Sequence, residues 1–333
     1  MKLALSVAVA AALAAVVPAT AGAASSTGTG TVFLPNPVAD LQNQSLTDQK
    51  DADYPALQAA YHDVTLTNLD GSGKLVGDWV NIHSQTGKDA FSPTNTFRFH
   101  RDQDGFEQVM AYYWITKAQL YIQSLGFGTT YPPINRESQD VRIDQYGGDN
   151  SFSVDTHDVI RYGKGGVDDA EDAEVILHEY GHAMMDSQQM PFGFGFSEEA
   201  GAIGEGFADY WAGTVSTRFA PTPDPACIAD WDSTSYTTTV PHCLRRLDGN
   251  KHYPQDLDGE VHDDGEIWSR ALWDIHNAVG PTKADTLILL GQFNHADPTM
   301  PQLAASTIDA AQGLYGTSVA KQVRQAFAAR GIV

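Results

Sequence analysis

The pentapeptide His178-Glu179-Tyr180-Gly181-His182 constrains the fold of this 333-residue chain more than any other feature of its sequence. In a helix, a spacing of four residues places both imidazoles on one face, one turn apart, where they can bind the same metal ion. Zn²⁺ binds imidazole nitrogen readily and keeps one position open for water at catalytic sites. Glu179 would lie about 100° round the helix from His178, so it would flank the metal, where a carboxylate can take a proton from attacking water. A chance match to this short pattern is the alternative interpretation.

A third metal ligand is available in the segment Glu205-Gly206-Phe207-Ala208-Asp209, inside a helix predicted over residues 198–215. Glu205 can complete a His₂Glu zinc site, although an ordinary exposed acid is the alternative. Asp209 follows one turn later, where it can accept the outer N–H of a ligating histidine and fix its tautomer. Glycine costs about 1 kcal/mol relative to alanine inside a helix. Three glycines in this helix therefore predict close contact with a second helix: Gly201, Gly204 and Gly206.

The N-terminus has the pattern of a secretory signal peptide, predicted to span residues 1–23. Lys2 supplies a positive charge, residues 3–17 are apolar, and small residues from Ala19 onward provide a cleavage site. A membrane anchor is the alternative, but ~15 apolar residues are too few to span a bilayer comfortably. We therefore expect a soluble protein that is secreted to the extracellular space.

The charge balance limits the classes of partner. The chain has 42 acidic and 20 basic residues and a formal net charge of −22. Such acidity argues against nucleic acid or an anionic membrane as a partner. We expect a monomer whose charge forms a solvated coat.

The two cysteines, Cys227 and Cys243, are close in sequence and flank a segment rich in Thr, Ser and Asp. In an oxidising compartment, an even pair at this spacing predicts one disulfide that closes a loop. Two buried thiols, or metal ligation by the thiolates, are the alternatives.

Strand signals dominate the first half of the chain and helical periodicity the second, which indicates an α+β protein. We predict a strand-rich region over residues 24–104, a catalytic lobe over residues 105–190 and a helical C-terminal lobe over residues 191–333. The predicted strands lie near residues 31–34, 64–69, 79–82, 141–143 and 151–162. The predicted helices lie near residues 106–125, 168–185, 198–215, 266–279, 304–314 and 318–330.

Four segments resemble, in the same order, the fungalysin family of thermolysin-like gluzincins. They are residues 167–183 (VDDAEDAEVILHEYGHA), 200–211 (AGAIGEGFADYW), 259–268 (GEVHDDGEIW) and 326–332 (AFAARGI). The resemblance implies a two-lobed thermolysin-like fold with a strand-rich N-terminal lobe that carries the zinc helix and a mainly α-helical C-terminal lobe. It also implies a secreted endopeptidase with one zinc per chain, which hydrolyses internal bonds of protein or peptide substrates.

By this resemblance, His262 would donate a hydrogen bond to the oxyanion of the tetrahedral intermediate, and Asp256 or Asp258 would orient it. Glu174, one turn before His178, resembles a calcium-binding acid, so Ca²⁺ is a second candidate cofactor. Complementarity to the helix dipole is the alternative explanation of this acid and of its neighbours: Asp168, Asp169 and Asp172.

The resemblance also implies substrate-binding residues. Asn150 and Ser151, followed by Phe152, resemble the edge strand along which an extended peptide pairs backbone to backbone. Arg245 resembles an arginine that grips a substrate carbonyl, and Arg246 is an equally near candidate.

Two other classes of function remain open. A zinc-containing module that only binds would need neither Glu179 nor His262, and a hydrolase of small molecules would need no peptide-pairing strand. Family members usually carry a long propeptide, for which this chain leaves no room. We therefore expect its activity to be controlled in another way.

Overall fold

The computed structural model describes residues 26–144, 147–154, 157–190 and 197–333, and the predicted signal peptide lies outside these ranges. The strands are β1 (Ser26–Val32), β2 (His62–Leu69), β3 (Val80–Ser84), β4 (Thr96–Phe97), β5 (Gln139–Ile143), β6 (Phe152–Val154), β7 (Val159–Arg161), β8 (Cys227–Ile228) and β9 (Arg245–Arg246). The α-helices are α1 (Pro37–Leu41), α2 (Gly105–Ser124), α3 (Ala173–Ser187), α4 (Glu198–Phe219), α5 (Val261–Val279), α6 (Pro281–Gly291), α7 (Met300–Tyr315) and α8 (Thr317–Ala329). Within these described ranges, no helix is long and apolar enough to cross a membrane.

Two sheets form the framework of the N-terminal half. Strands β2, β1 and β4 make a three-stranded sheet, in which β1 runs antiparallel to β2 and parallel to β4. The second sheet has the order β3-β5-β7-β6, with β3, β5 and β7 parallel and β6 antiparallel at one edge. The segment predicted as strand-like over residues 151–162 is therefore two antiparallel strands, β6 and β7. An edge position leaves one side of a strand for pairing with another chain.

Helix α2 packs against both sheets and against α3. It is buried along most of its length, and Trp114 and Met110 are among its large side chains in the core. The Trp114 indole N–H donates to the Phe33 carbonyl at 3.3 Å, which fastens α2 to the chain that leaves β1. The observed helix agrees with the prediction to within one residue at each end.

Helix α3, which carries the His-Glu-x-x-His sequence, begins five residues later than predicted. Asp172 is extended (φ −103°, ψ 119°) and caps the helix by accepting a hydrogen bond from the Glu174 N–H at 2.9 Å. The acids before it lie in a separate 3₁₀ helix, Asp169–Glu171, and are buried. The prediction that α3 begins near residue 168, with these acids at its start, is wrong, because the cap at Asp172 interrupts the helix.

Helix α4 lies between α3 and α5 at short distance because glycines face the contacts. A Cβ atom added to Gly206 would lie 2.3 Å from the Gly265 carbonyl oxygen of α5. A Cβ atom added to Gly181 would lie 3.0 Å from the Ala208 Cα atom of α4. The close contact predicted from glycine in α4 is therefore found at Gly206, against α5. The contact of Gly181 with Ala208 brings the candidate ligands of α3 and α4 side by side.

The C-terminal half is helical, as predicted, with two differences. Helix α5 begins at Val261 rather than near residue 266, so His262 lies in its first turn. Helix α6 was not predicted. Gly280 (φ 84°) ends α5, and Pro281 then begins α6, since proline lacks only an N–H that the first turn leaves unused.

The fold class is confirmed as α+β, with strands first and helices after them. One hydrophobic core extends from Val32 to Ile332 and includes residues of all three predicted regions. The region boundaries near residues 104 and 190 therefore stay predictions.

Candidate active site

The three candidate metal ligands converge at the contact between α3 and α4. His178 Nε2 lies 3.0 Å from Glu205 Oε2 and 3.2 Å from His182 Nε2. His182 Nε2 lies 3.6 Å from Glu205 Oε1. All three residues are buried. Ligands about 2.0–2.1 Å from a tetrahedral zinc lie roughly 3.3 Å from one another, so both the donor set and its spacing fit Zn²⁺.

Asp209 fixes the orientation of the His178 ring. Its Oδ1 atom lies 2.8 Å from His178 Nδ1, which leaves Nε2 directed at Glu205. The Arg245 guanidinium in turn donates to both oxygens of Asp209, at 2.6 and 2.8 Å. Arg246 pairs instead with Asp224 at 2.9 Å, outside the cleft. Of the two arginines considered from the sequence, Arg245 is therefore the one that lines the site.

Burial and close charges shift the pKa of each candidate ligand. Burial opposes protonation of His178, but hydrogen bonds to Asp209 and Glu205 outweigh it and raise its pKa to about 10. Burial lowers the pKa of His182 to about 4. Burial would raise the pKa of Glu205, but the neighbouring His182 and His178 lower it to about 2. Glu205 and Asp209 are thus held as anions in a buried place, which suits a site for a metal cation.

Glu179 lines the same cleft but does not belong to the three-ligand cluster. It is buried, and its Oε2 atom has no hydrogen-bond partner among the described residues. Burial raises its pKa to about 7, against the opposing effect of the nearby His178. A carboxylate with an unoccupied oxygen and a pKa near neutrality can accept and return a proton.

His262 approaches the cluster from the first turn of α5. Its Nε2 atom lies 3.5 Å from Glu205 Oε2, and its Nδ1 atom lies 2.7 Å from Glu260 Oε1. The prediction that Asp256 or Asp258 orients His262 is wrong. Glu260 caps α5, which places its carboxylate beside the ring, whereas both aspartates accept hydrogen bonds from nearby backbone N–H groups.

Candidate substrate-binding residues near β6 line the same cleft. Asn150 and Ser151 line it directly before β6, the edge strand of the four-stranded sheet. The Ser151 hydroxyl donates to the Asp169 carboxylate. The structure therefore brings the edge strand suggested by the sequence to the same cavity as the metal cluster.

The cysteine prediction is confirmed: Cys227 and Cys243 form a disulfide bond. It lies next to the short β8–β9 ladder, in which Ile228 pairs with Arg245. This local crosslink helps to hold Arg245 at the wall of the cleft.

The calcium prediction at Glu174 stays a prediction. Its Oε1 atom accepts the Ser216 hydroxyl and its Oε2 atom accepts the Ala229 N–H, both at 2.7 Å. Protein donors thus occupy both carboxylate oxygens.

The sequence did not indicate that polar residues such as Asp232 and Tyr236 line the cleft, nor that Glu260 is the acid beside His262. The first two belong to a long loop with little periodicity, where no local pattern signals a position near the metal cluster. The position of Glu260 two residues before His262 was a usable signal, since a short acid-to-histidine spacing at a helix start permits this contact.

The fold and this cluster define a thermolysin-like metallopeptidase. The structure resembles the precursor of protealysin, a metalloproteinase from Serratia proteamaculans, with a TM-score of 0.60 and 16% sequence identity. The match covers 91% of this chain and 99% of the protealysin precursor chain. The family model of the fungalysin metallopeptidases (M36) matches residues 62–283, so the chain belongs to that family. It is a zinc metalloendopeptidase that acts on protein or peptide substrates. No curated protein matches the sequence.

Proposed function

We propose that the chain is a secreted endopeptidase in which His178, His182 and Glu205 hold one zinc ion and Glu179 is the general base. The observation that carries this assignment is the convergence of the three ligand atoms, all within 4.8 Å of one another, in a cleft that Glu179 also lines. A bound zinc ion would act as a Lewis acid that polarises the scissile carbonyl and acidifies water.

Glu179 accepts the proton of the attacking water and passes it to the leaving amine. Three features support this role: the residue is buried, its Oε2 atom has no hydrogen-bond partner among the described residues, and its pKa is raised to about 7 by burial. A pKa near neutrality allows the carboxylate both to accept and to release the proton at neutral pH.

His262 donates a hydrogen bond to the oxyanion that develops on the substrate, with Glu260 holding the other nitrogen of its ring. Its half-exposed ring, 3.5 Å from Glu205, supports this role because it reaches the cluster while remaining open to substrate. Asn150 and Ser151 pair with the backbone of an extended peptide, and Arg245 binds a substrate carbonyl.

Glu179→Gln tests the assignment, because this change keeps the size of the side chain and removes its basicity. The variant should bind zinc and fold as the wild type does, while casein hydrolysis falls about 10²–10⁴-fold. Elemental analysis, thermal unfolding and product release measure the three quantities. Glu198→Gln makes the same change at an exposed position outside the cleft and should have no effect.

Full activity of Glu179→Gln would remove the proposed mechanism. A wild-type protein that binds zinc but hydrolyses no peptide would instead favour a binding module. Zinc retained after His178→Ala together with His182→Ala would overturn the ligand assignment. N-terminal sequencing of exported protein tests the secretion proposal, which requires cleavage near Ala23.

A further inference from the structure

An acidic group at one end of the active-site cleft has no role in the proposed mechanism. Asp149, Asp169 and Asp232 each present a carboxylate oxygen, and these oxygens lie within 4.8 Å of one another. Asp169 and Asp232 line the cleft and are 2% and 3% exposed. Carboxylates are seldom buried this deeply without a partner.

The hydrogen bonds within this group leave oxygens unsatisfied. Ser151 donates to one oxygen of Asp169 and Tyr236 donates to Asp149 at 2.7 Å. Asp169 Oδ1 and Asp232 Oδ1 are buried and have no hydrogen-bond partner among the described residues. Arg245 acts on Asp232 electrostatically, but its guanidinium already donates to both oxygens of Asp209.

Burial and mutual repulsion make three closely spaced carboxylates unfavourable without a cation to pair with them. Burial raises the pKa of Asp169 to about 8, and burial together with the charges of Asp169 and Asp172 raises the pKa of Asp232 well above its usual range. A cation that entered the group would reverse both effects, because it would pair with the carboxylates and donate hydrogen bonds to them.

The position of the group suggests which cation enters. Val175 borders this part of the cleft and lies four residues before Glu179 on α3, a distance of about 6 Å along the helix. That distance is close to the reach of one substrate side chain from the bond under attack. Val175, Ile228 and Leu244 are apolar residues that line the same cleft. Lysine and arginine side chains fit a cleft with both apolar and acidic residues, since each has an aliphatic stem and a cationic end.

Resting on the proposed peptidase function, we propose that Asp169 and Asp232, with Asp149, bind the side chain of a lysine or arginine next to the scissile bond. The enzyme would then select basic residues at one constant position beside the bond. The residues Asp169 and Asp232 determine specificity and take no part in the chemistry of hydrolysis.

A mixed peptide library with sequencing of both product ends tests the preference. Lys or Arg should be enriched on one side of the cleaved bond. A peptide pair that differs only by Lys against norleucine, an aliphatic side chain without charge, then measures the preference as a ratio of kcat/KM. We expect a ratio of at least about tenfold for the wild type.

Asp232→Asn should reduce this ratio about tenfold or more, with kcat/KM for the norleucine peptide and the zinc content unchanged. The change removes one charge, and Asp232 Oδ1 has no hydrogen-bond partner among the described residues, so folding should be retained. Asp169→Asn is a second variant in which the preference for Lys over norleucine should also fall. Asp63→Asn, an equal change of charge at an exposed site, should leave the ratio as in the wild type.

Hydrolysis without a preference for Lys or Arg would overturn the specificity proposal and leave the peptidase function intact. Absence of all hydrolysis would refute the proposed function itself. A calcium titration distinguishes a metal ion from a substrate side chain as the occupant of the group. If Ca²⁺ binds through Asp169 and Asp232, and neither variant changes the substrate preference, the group is a metal site instead.

Discussion

Asp209→Asn would disturb the candidate zinc site without touching a ligand. Asp209 accepts from two sides: His178 Nδ1 lies at 2.8 Å, and the Arg245 guanidinium donates at 2.6 and 2.8 Å. An amide offers one acceptor oxygen in place of two and an NH₂ donor, so it cannot accept all three hydrogen bonds. If its oxygen faces His178, its NH₂ faces a guanidinium. If its oxygen faces Arg245, the histidine must carry its proton on Nε2, the atom directed at the metal.

Both consequences can be given magnitudes. Loss of the partner that orients a ligating histidine typically weakens metal binding 10–100-fold, about 1.4–2.7 kcal/mol. The Arg245 side chain, 16% exposed, also loses its anionic partner. Breaking a buried ion pair costs roughly 3–5 kcal/mol, and an amide that keeps one hydrogen bond places this variant near the lower value. An unfolding entropy of about 2.1 cal/mol/K per residue gives roughly 0.7 kcal/mol/K for a chain of this size, so a loss of about 3 kcal/mol lowers its Tm by roughly 4 °C.

Competition with a chelator of known affinity measures zinc binding, and thermal unfolding of the zinc-free protein measures stability. The double variant Asp209→Asn/Arg245→Met is the matched control. Without the guanidinium, the amide oxygen is free to face His178, so stability and zinc affinity should both recover in part. Wild-type values in the single variant, or a double variant less stable than the single one, would refute this account of Asp209.

Three further changes test other parts of the structure. His262→Ala should keep zinc and stability because the ring is half exposed, while kcat falls about 10²–10³-fold in a peptidase assay, as for the loss of one oxyanion donor. Cys227→Ser/Cys243→Ser should lower the free energy of unfolding by about 3 kcal/mol, since the disulfide closes a loop of 16 residues; an unchanged denaturant midpoint would contradict this. Gly206→Ala should destabilise by about 1–3 kcal/mol because its Cβ would lie 2.3 Å from a carbonyl oxygen of α5. Gly313→Ala, in a helix with open space around it, should stabilise by about 0.5–1 kcal/mol, and equal effects of the two glycine changes would refute the packing argument.

The metal cluster could be predicted because its signal is local and repeated. His178 and His182 are four residues apart on one helix, and Glu205 and Asp209 have the same spacing on the next. Helical geometry alone places each pair on one face. The contact between the two helices then needed only small residues at the interface, which Gly181 and Ala208 supply. Long elements with clear periodicity, such as α2, were predicted for the same reason.

The rest of the cleft depends on contacts that local patterns do not encode. Asp232 lies in a short 3₁₀ helix inside the disulfide loop, about 60 residues from Asp169 in sequence. Its position follows from how the loop packs, not from its own neighbours. The acid beside His262 was assigned to the wrong residue for a related reason. Glu260 is extended (φ −99°, ψ 120°), caps α5 and thereby reaches the ring, which a count of acids near the histidine could not reveal.

The acids around the start of α3 separate into those that support the fold and those that face the cleft. Glu171 receives the Arg101 guanidinium on both oxygens, at 2.9 and 3.0 Å. Glu174 receives one hydroxyl and one backbone N–H. Their oxygens are satisfied by the protein itself, as a buried charge requires. Asp169 and Asp232 are equally buried but keep oxygens without partners among the described residues. Asp168 Oδ1 is also buried without a partner among the described residues, but Asp168 does not line the cleft. Asp169 and Asp232 do line it, so theirs are the oxygens that a ligand entering the cleft can reach.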